Sequence, residues 1–396
     1  MLSRQKVVAG LFGLLALALP MVLQAQMSLD EAIETLGSKE PSARVEAAEE
    51  IAEMGRSAQK AVPALIKALE TKDVAFRTEV ILALGHLGEV AASAVPDLIK
   101  LLAAEEPLVV RHAAVESLRA IGPSAHAAIP QFQTMLKDKD LALQASAARG
   151  LLIWAADDAE LVRECVTVLL SALVSDREEV QIEAEHGLTE AGAPAVLPVI
   201  DVLKTNKDVE VQTLACEVLG MIGPDARLAV PELIKLLHTR NVDLRSRAAL
   251  ALGMLQSDSE QSVKALLPLL HDQNERVVHS AVMALGRFGP AAASAVPALL
   301  PLFDSEDDGL RASLAYTVGE IGPNAKAAIP ALIGSLSDDS ESVVLNSADA
   351  LANFGAAAVP ALLQALQQSD DILNVVVLIF HEMGAEAKEA VPALTE

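Results

Sequence analysis

A nine-residue phrase, AVPALIKAL at Ala61 to Leu69, returns along almost the whole chain at steps of about 33 residues, and no other feature restricts the fold as much. Val-Pro or Ile-Pro opens a unit at Val62, Val95, Ile129, Val230, Val296, Ile329, Val359 and Val391, with Leu197-Pro198 a close variant. Leu29, Val166 and Val263 open units without the proline but in the same register, which makes eleven complete units and a twelfth that stops after one turn. A fixed period of this size implies a stack in which each unit buries its apolar face only against its neighbours. The 396 residues, enough for several globular domains by length, are therefore read as one elongated domain over 26–396.

Within a unit, Val62, Leu65, Ile66 and Leu69 recur at spacings of three and four, the stripe of an amphipathic helix, here helix A. Proline suits its first turn, because the amide it lacks has no intrahelical partner there. Ten residues after the start stand Asp73, Asp140, Asp208, Asn241, Asn274, Asp307, Ser340 and Asp370, all able to cap a second helix. This helix B carries an apolar face, Phe76, Val80, Leu84 and Leu87 in one unit and Val211, Ala215, Leu219 and Ile222 in another. Gly88, Gly122, Gly223, Gly289, Gly322, Gly355 and Gly384 stop it, often before a proline, so all the chain's glycines are read as helix stops.

The V-P-x-L-I start, the capping Asp, an Arg four residues later and the A-x-A-L-G-x-I-G ending resemble HEAT repeats, most closely the short, proline-led variety also found in the phycocyanobilin lyase family. Arg44, Arg77, Arg245 and Arg311 occupy the Arg site, with Arg111 one residue late; Gln144, Gln181, Gln212, Val278, Val344 and Asn374 replace it elsewhere, so the ladder is partial. The resemblance covers nearly all of residues 28–396 and implies an all-α fold, an α-solenoid (superhelix) of about eleven antiparallel two-helix HEAT-like repeats with the B helices on the inner, concave surface. HEAT repeats specify no one activity.

Residues 1–25 read as a secretory signal peptide: Arg4 and Lys6 form a basic start, Val7 to Leu23 an apolar stretch, and Leu23-Gln24-Ala25 a cleavage site. Export to the periplasm, the cell envelope or the exterior is the expectation, against an uncleaved anchor. No second stretch is expected to be long and apolar enough to span a bilayer. The formal net charge of −24 argues against nucleic acid and anionic membrane surfaces as partners. Aromatics at 2% leave few rings for stacking on bases or sugars. Cys165 and Cys216, in different repeats and without a CxxC motif, read as small core residues.

The polar face of the B helices holds Glu46, Glu49, Glu53, Glu79, Glu116, Glu183, Glu190, Glu217, Glu320, Asp349 and Glu382, against Arg149, Arg247, Arg276 and Arg287. An acidic concave groove that binds a basic segment of a partner protein is the expectation. In the last full unit Ile372, Val375, Val376, Ile379 and Phe380, with Leu373, Val377 and Leu378, make helix B apolar on every side, which suggests a surface for self-association or a partner. Trp154 opens a turn without the usual glycine, at a core position.

No catalytic, cofactor or metal motif appears. His238 and His271 share a register but sit in different repeats, and His381-Glu382 is a single pair where the HEAT-like deoxyhypusine hydroxylases use several to hold iron. Asp304 to Gly309 lacks the Glu that a calcium loop needs at its twelfth position, where Ala315 stands, and reads as a capping turn. The sequence thus points to an exported, non-enzymatic interaction scaffold, with no cofactor. A lyase-like or chaperone-like helper acting on a tetrapyrrole-bearing protein, and a purely structural envelope protein, are the alternatives.

Overall fold

The computed structural model describes residues 27–368 and 371–390. The signal segment, the capping position Asp370 and the unit start at Val391 lie outside the described residues. Among the described residues there is no strand, and eleven B helices stand in the expected register, from Pro41–Met54 to Leu373–Met383. The chain is an α-solenoid that divides into two compact units, up to Ala125 and from His126 onward.

The caps act as the sequence implies. The side chains of Asp73, Asp140, Asp208, Asn241, Asn274 and Asp307 each accept a first-turn amide, at 2.9–3.3 Å, for about 1 kcal/mol apiece. Ser340 holds the cap position without a side-chain bond. In the acidic turn before Asp308, Asp307 caps helix Asp308–Ile321 and the Ser305 hydroxyl accepts from the Asp307 amide. At the other end of helix B the stopping glycine takes φ positive and ψ strongly negative, as at Gly88 (φ 65, ψ −140), a conformation closed to side-chain-bearing residues.

Helix A is shorter than the periodicity suggests, and a 3₁₀ segment precedes it. In seven units this runs from the glycine to the alanine before Val-Pro or Ile-Pro, as in Gly55–Ala61 and Gly322–Ala328, and the α-helix proper is then only Val62–Ala68 or Ile329–Gly334. Side chains three apart eclipse in a 3₁₀ turn, and those positions are fully buried alanines, Ala58 and Ala61, Ala325 and Ala328. Leu65, Val80, Leu84 and Leu87 are likewise fully buried, each stabilising by roughly 1.5–3 kcal/mol.

The reading of all glycines as stops needs correction. Gly85, Gly220, Gly253, Gly286 and Gly319 lie inside B helices and let the next B helix approach: a Cβ on Gly253 would meet Ala284 Cα at 2.6 Å, and one on Gly319 would meet Ala350 Cβ at 3.0 Å. Buried hydroxyls add bonds across the same seams, Ser117 Oγ to Ile81 O at 2.7 Å and Thr317 Oγ1 to Val282 O at 3.1 Å. These B–B seams make the row of B helices the crowded side of each stack.

The Arg site links repeats. Arg245 donates to both oxygens of Asp272 in the next repeat, at 2.8 and 2.9 Å, and to Thr239 O of its own turn at 2.9 Å. Arg311 does the same with Asp338 at 2.7 and 2.8 Å and with Ser305 O at 2.7 Å. Arg44 reaches Asp73, and Arg77 reaches Glu106. Where glutamine replaces arginine only the local bond survives: Gln144 to Asp138 O, Gln181 to Ser175 O, Gln212 to Leu203 O. The same stretch has long A helices with no 3₁₀ lead, Ala159–Ala172 and Ala193–Thr205, the latter carrying Pro198 within it. Trp154 is half-buried beside this stretch, its ring centroid 5.0 Å from Phe132 and 6.0 Å from His126.

One further expectation needs correction. The run from Val74 to Lys100 has the length and apolarity of a bilayer span, but it comprises helix B, a 3₁₀ turn and helix A broken at Gly88, and more than half of its most apolar window is buried. Cys165 and Cys216 are buried, and burial pushes both thiols up to about 12, so they stay protonated and inert.

Candidate functional site

The polar face of helix B presents three positions, three and four residues apart, that repeat on each successive B helix at 33-residue steps through much of the chain. Within each unit each B helix packs on the next, so these positions form a grid across that unit.

In the first unit the grid is acidic. Glu46, Glu49 and Glu53 on Pro41–Met54 are exposed, and Glu79 on Val74–Leu87 is half-buried. No ion pair of these four occurs among the described residues. Of the nearby arginines, Arg44 is engaged with Asp73 and over the Phe76 ring and Arg77 with Glu106, while the exposed Arg56, three residues after Glu53, makes no ion pair among the described residues. Glu116, one turn before Arg119 on the same helix, is held by that guanidinium at 2.8 Å.

In the second unit half of the expected acids, Glu183, Glu190 and Glu217, are ion-paired. Arg149 donates to Glu183 at 2.7 Å and, through two nitrogens, to Glu190 at 2.7 Å. The Glu190 hydrogen bond outweighs burial and, with the field of both carboxylates, raises the Arg149 pKa further above its ordinary value. Glu217 pairs with Arg247 at 2.6 Å. Arg276 pairs with Asp243. The Tyr316 phenol is raised by burial first and by the nearby Glu320 carboxylate second. Asp349 and Glu382 are exposed. The eleven acids thus do not form one continuous field: four stand together without counterions in the first unit, and the others are paired or separated.

Between the paired acids the grid turns apolar, which reading the stripe for charge alone missed. Leu214, Met221, Leu250 and Met254 are half-buried, and Met283 and Tyr316 are 40% and 53% exposed. The signal was present in the 33-residue register, since Glu217, Leu250, Met283, Tyr316 and Asp349 are equivalent positions.

At the last B helix, Ile372, Val376, Ile379 and Phe380 are buried and Val375 is half-buried, against the helix Glu341–Asn353 and the following 3₁₀ turn. The apolar residues that face outward there are Leu373, Val377 and Leu378. Among the described residues no three His, Cys, Asp or Glu side chains converge as a metal site.

The family model for HEAT repeats matches residues 29–119, 230–319 and 296–376, more than half of the chain. The unmatched stretch between them contains the three glutamine substitutions and both long A helices. No curated protein matches the sequence. Among solved structures the chain is similar to the Kap95:Nup1 complex, at 14% identity and a TM-score of 0.65, over 93% of this chain and 58% of that one. It is similar to yeast importin-beta (Kap95p), at 14% identity and a TM-score of 0.62, over 93% and 58%. Kap121p bound to Pho4p matches at 14% identity and a TM-score of 0.63, over 92% and 47%. The chain spans less than two thirds of the length of these proteins, and at such identity the likeness is one of fold.

Proposed function

Because this chain belongs to the HEAT-repeat family, we propose that it is an exported protein-binding scaffold and that the B face of its first unit captures a basic segment of a partner protein. The observation that carries the reading is the set of Glu46, Glu49, Glu53 and Glu79 on two adjoining B helices, without an ion pair among the described residues. Four carboxylates held on rigid helices raise the local concentration of a cationic segment and speed its encounter. The crowded B–B seams support placing these helices on the inner side of the stack, where a partner meets several repeats at once. Kap121p, of similar fold, is bound to Pho4p in its solved structure, which supports the scaffold role.

The test is binding of a lysine- and arginine-rich peptide to the full chain at rising salt. The wild type loses affinity steeply as salt screens the face. Glu46→Gln, Glu49→Gln, Glu53→Gln and Glu79→Gln together weaken binding roughly tenfold or more and flatten the salt dependence. An unchanged affinity and salt slope would remove the proposal. Export rests on the segment 1–25, and a mature protein that retains these residues and stays in the cytoplasm would contradict it.

A further inference from the structure

We propose that a cavity at the Arg site of the first repeat binds a free α-amino acid with an apolar side chain. The cavity is bordered by the A helices Leu29–Thr35 and Val62–Ala68 and by none of the four B-face glutamates, so the proposal stands apart from the scaffold reading. Arg44 is fastened differently from its equivalents. Arg245 and Arg311 each use all three guanidinium nitrogens, on a carboxylate of the next repeat and on the carbonyl six residues back. Among the described residues Arg44 makes one guanidinium bond, from Nη2 to Asp73 at 3.1 Å, and its buried Nε has no partner. Arg77 shares the unpartnered Nε, but both of its terminal nitrogens hold Glu106. The turn before Arg44 differs too, because Glu40 makes no side-chain cap bond where Asn241 and Asp307 do. The equivalent turn at Arg245 borders a cavity of about 640 Å³, but its lining is mostly polar and its guanidinium has no nitrogen left to offer.

The lining selects the ligand. A volume of about 400 Å³ is near the lower end for small-molecule sites and suits an amino acid. Ile33, Leu36 and Phe76 supply an apolar wall for an aliphatic side chain, and Arg44 Cζ lies 5.0 Å from the centre of the Phe76 ring, which steadies the guanidinium there. Asp73 balances the Arg44 charge, so Lys67 and Glu34 are the unbalanced charges of the lining. They are exposed, 33 residues apart, one on each A helix. Neither makes an ion pair among the described residues, although Lys60 and Asp30 of the same two repeats meet at 2.6 Å. One cation and one anion at the border of one small cavity match a zwitterion. The ligand carboxylate accepts from Arg44 Nε and the Lys67 ammonium, and the ligand ammonium donates to Glu34. A buried donor left unmade is costly, so an acceptor at Arg44 Nε adds affinity. A plain carboxylic acid leaves Glu34 unbalanced, and a plain amine leaves Arg44 Nε without an acceptor.

The probe is L-leucine, titrated into the full chain labelled with ¹³C at its isoleucine methyl groups. A saturable shift at Ile33 is the expected result. Isocaproate, which lacks the ammonium, and leucinamide, which lacks the carboxylate, each bind roughly tenfold or more weakly, because each leaves part of the site unpaired. Lys67→Met and Glu34→Gln each weaken leucine binding roughly tenfold while thermal stability holds, since both side chains are exposed and make no ion pair among the described residues. The variant with Glu46, Glu49, Glu53 and Glu79 all changed to Gln keeps the Ile33 shift, which separates failure of this site from failure of the acidic face. An Ile33 methyl that does not respond to leucine overturns the proposal. So does isocaproate or leucinamide that binds as tightly as leucine, because the ligand would then not be a zwitterion. Leucine affinity unchanged by both Lys67→Met and Glu34→Gln overturns it as well.

Discussion

The repeats from Val230 onward and those between Ile129 and Ala229 belong to the same unit and the same period, yet they are held together differently. In the former, Arg245 and Arg311 reach across to a carboxylate in the next repeat while also closing their own turn. In the latter, glutamine closes the turn and stops short, the A helices lengthen, and the inter-repeat ion pair moves to the B face at Arg149. A solenoid can therefore change its fasteners without losing its step, provided the seam between B helices stays intact. The family model matches the stretches that hold Arg44, Arg77, Arg245 and Arg311, along with the repeats that carry Val278 and Val344 at the same site, and passes over the glutamine stretch.

The seam is the strongest place to break this comparison. Gly253→Ala puts a Cβ 2.6 Å from the Ala284 backbone, which has no room to yield, so a loss of about 2–3 kcal/mol in denaturant unfolding is expected. Gly187→Ala in the long-helix stretch meets the end of Leu169 at 3.0 Å, which can move, and Arg149 Cβ at 3.1 Å, which needs to yield only a few tenths of an ångström, so it costs about 1 kcal/mol. Equal losses would mean that the two stretches do not differ at the seam.

Next in size, Arg311→Gln turns a fastened repeat into one of the glutamine type. The turn bond can persist while the Asp338 bridge goes, for about 1–2 kcal/mol after allowance for partial exposure. The same pairs predict a pH dependence. Arg311 holds the Asp338 carboxyl below its ordinary value. At Asp272, burial opposes ionisation, but the Arg245 bond, the Asn274 amide and the Arg245 charge overcome it. A depressed folded pKa contributes stability that is present above the unfolded value of about 3.9 and is lost as pH falls through the folded value. Acid melts of Arg245→Met with Arg311→Met should show a shallower loss below that pH than the wild type. Smallest of all, replacing Glu46, Glu49, Glu53 and Glu79 by Gln should change stability by no more than about 0.5 kcal/mol, because these side chains fasten nothing. A large loss would make them structural.

Most of the fold was legible in the repeat. Capping Asp73 and Asp307, stopping Gly88 and core Leu84 are local choices that each unit repeats, so their agreement across units disclosed them. The 3₁₀ lead was not, since alanines at Ala58 and Ala61 fit an α-helix as well as a tighter one. Gly253 was misread because a glycine inside a helix acts through the neighbouring helix, and one unit's pattern does not show its neighbour. The candidate site was legible as positions but not as charge. Glu183, Glu190 and Glu217 look like a field in the sequence, whereas the fold brings Arg149 and Arg247 onto them and leaves only the first unit's four acids together.

Carboxylate footprinting tests the central claim most directly. The full chain is labelled with a carbodiimide and an amine, with and without a bound lysine- and arginine-rich peptide, and the modified residues are mapped by mass. Protection of Glu46, Glu49, Glu53 and Glu79, with Glu70 and Glu89 beyond the B helices still reactive, is the predicted result. Protection of Glu70 and Glu89 while the four B-face glutamates stay reactive would contradict it.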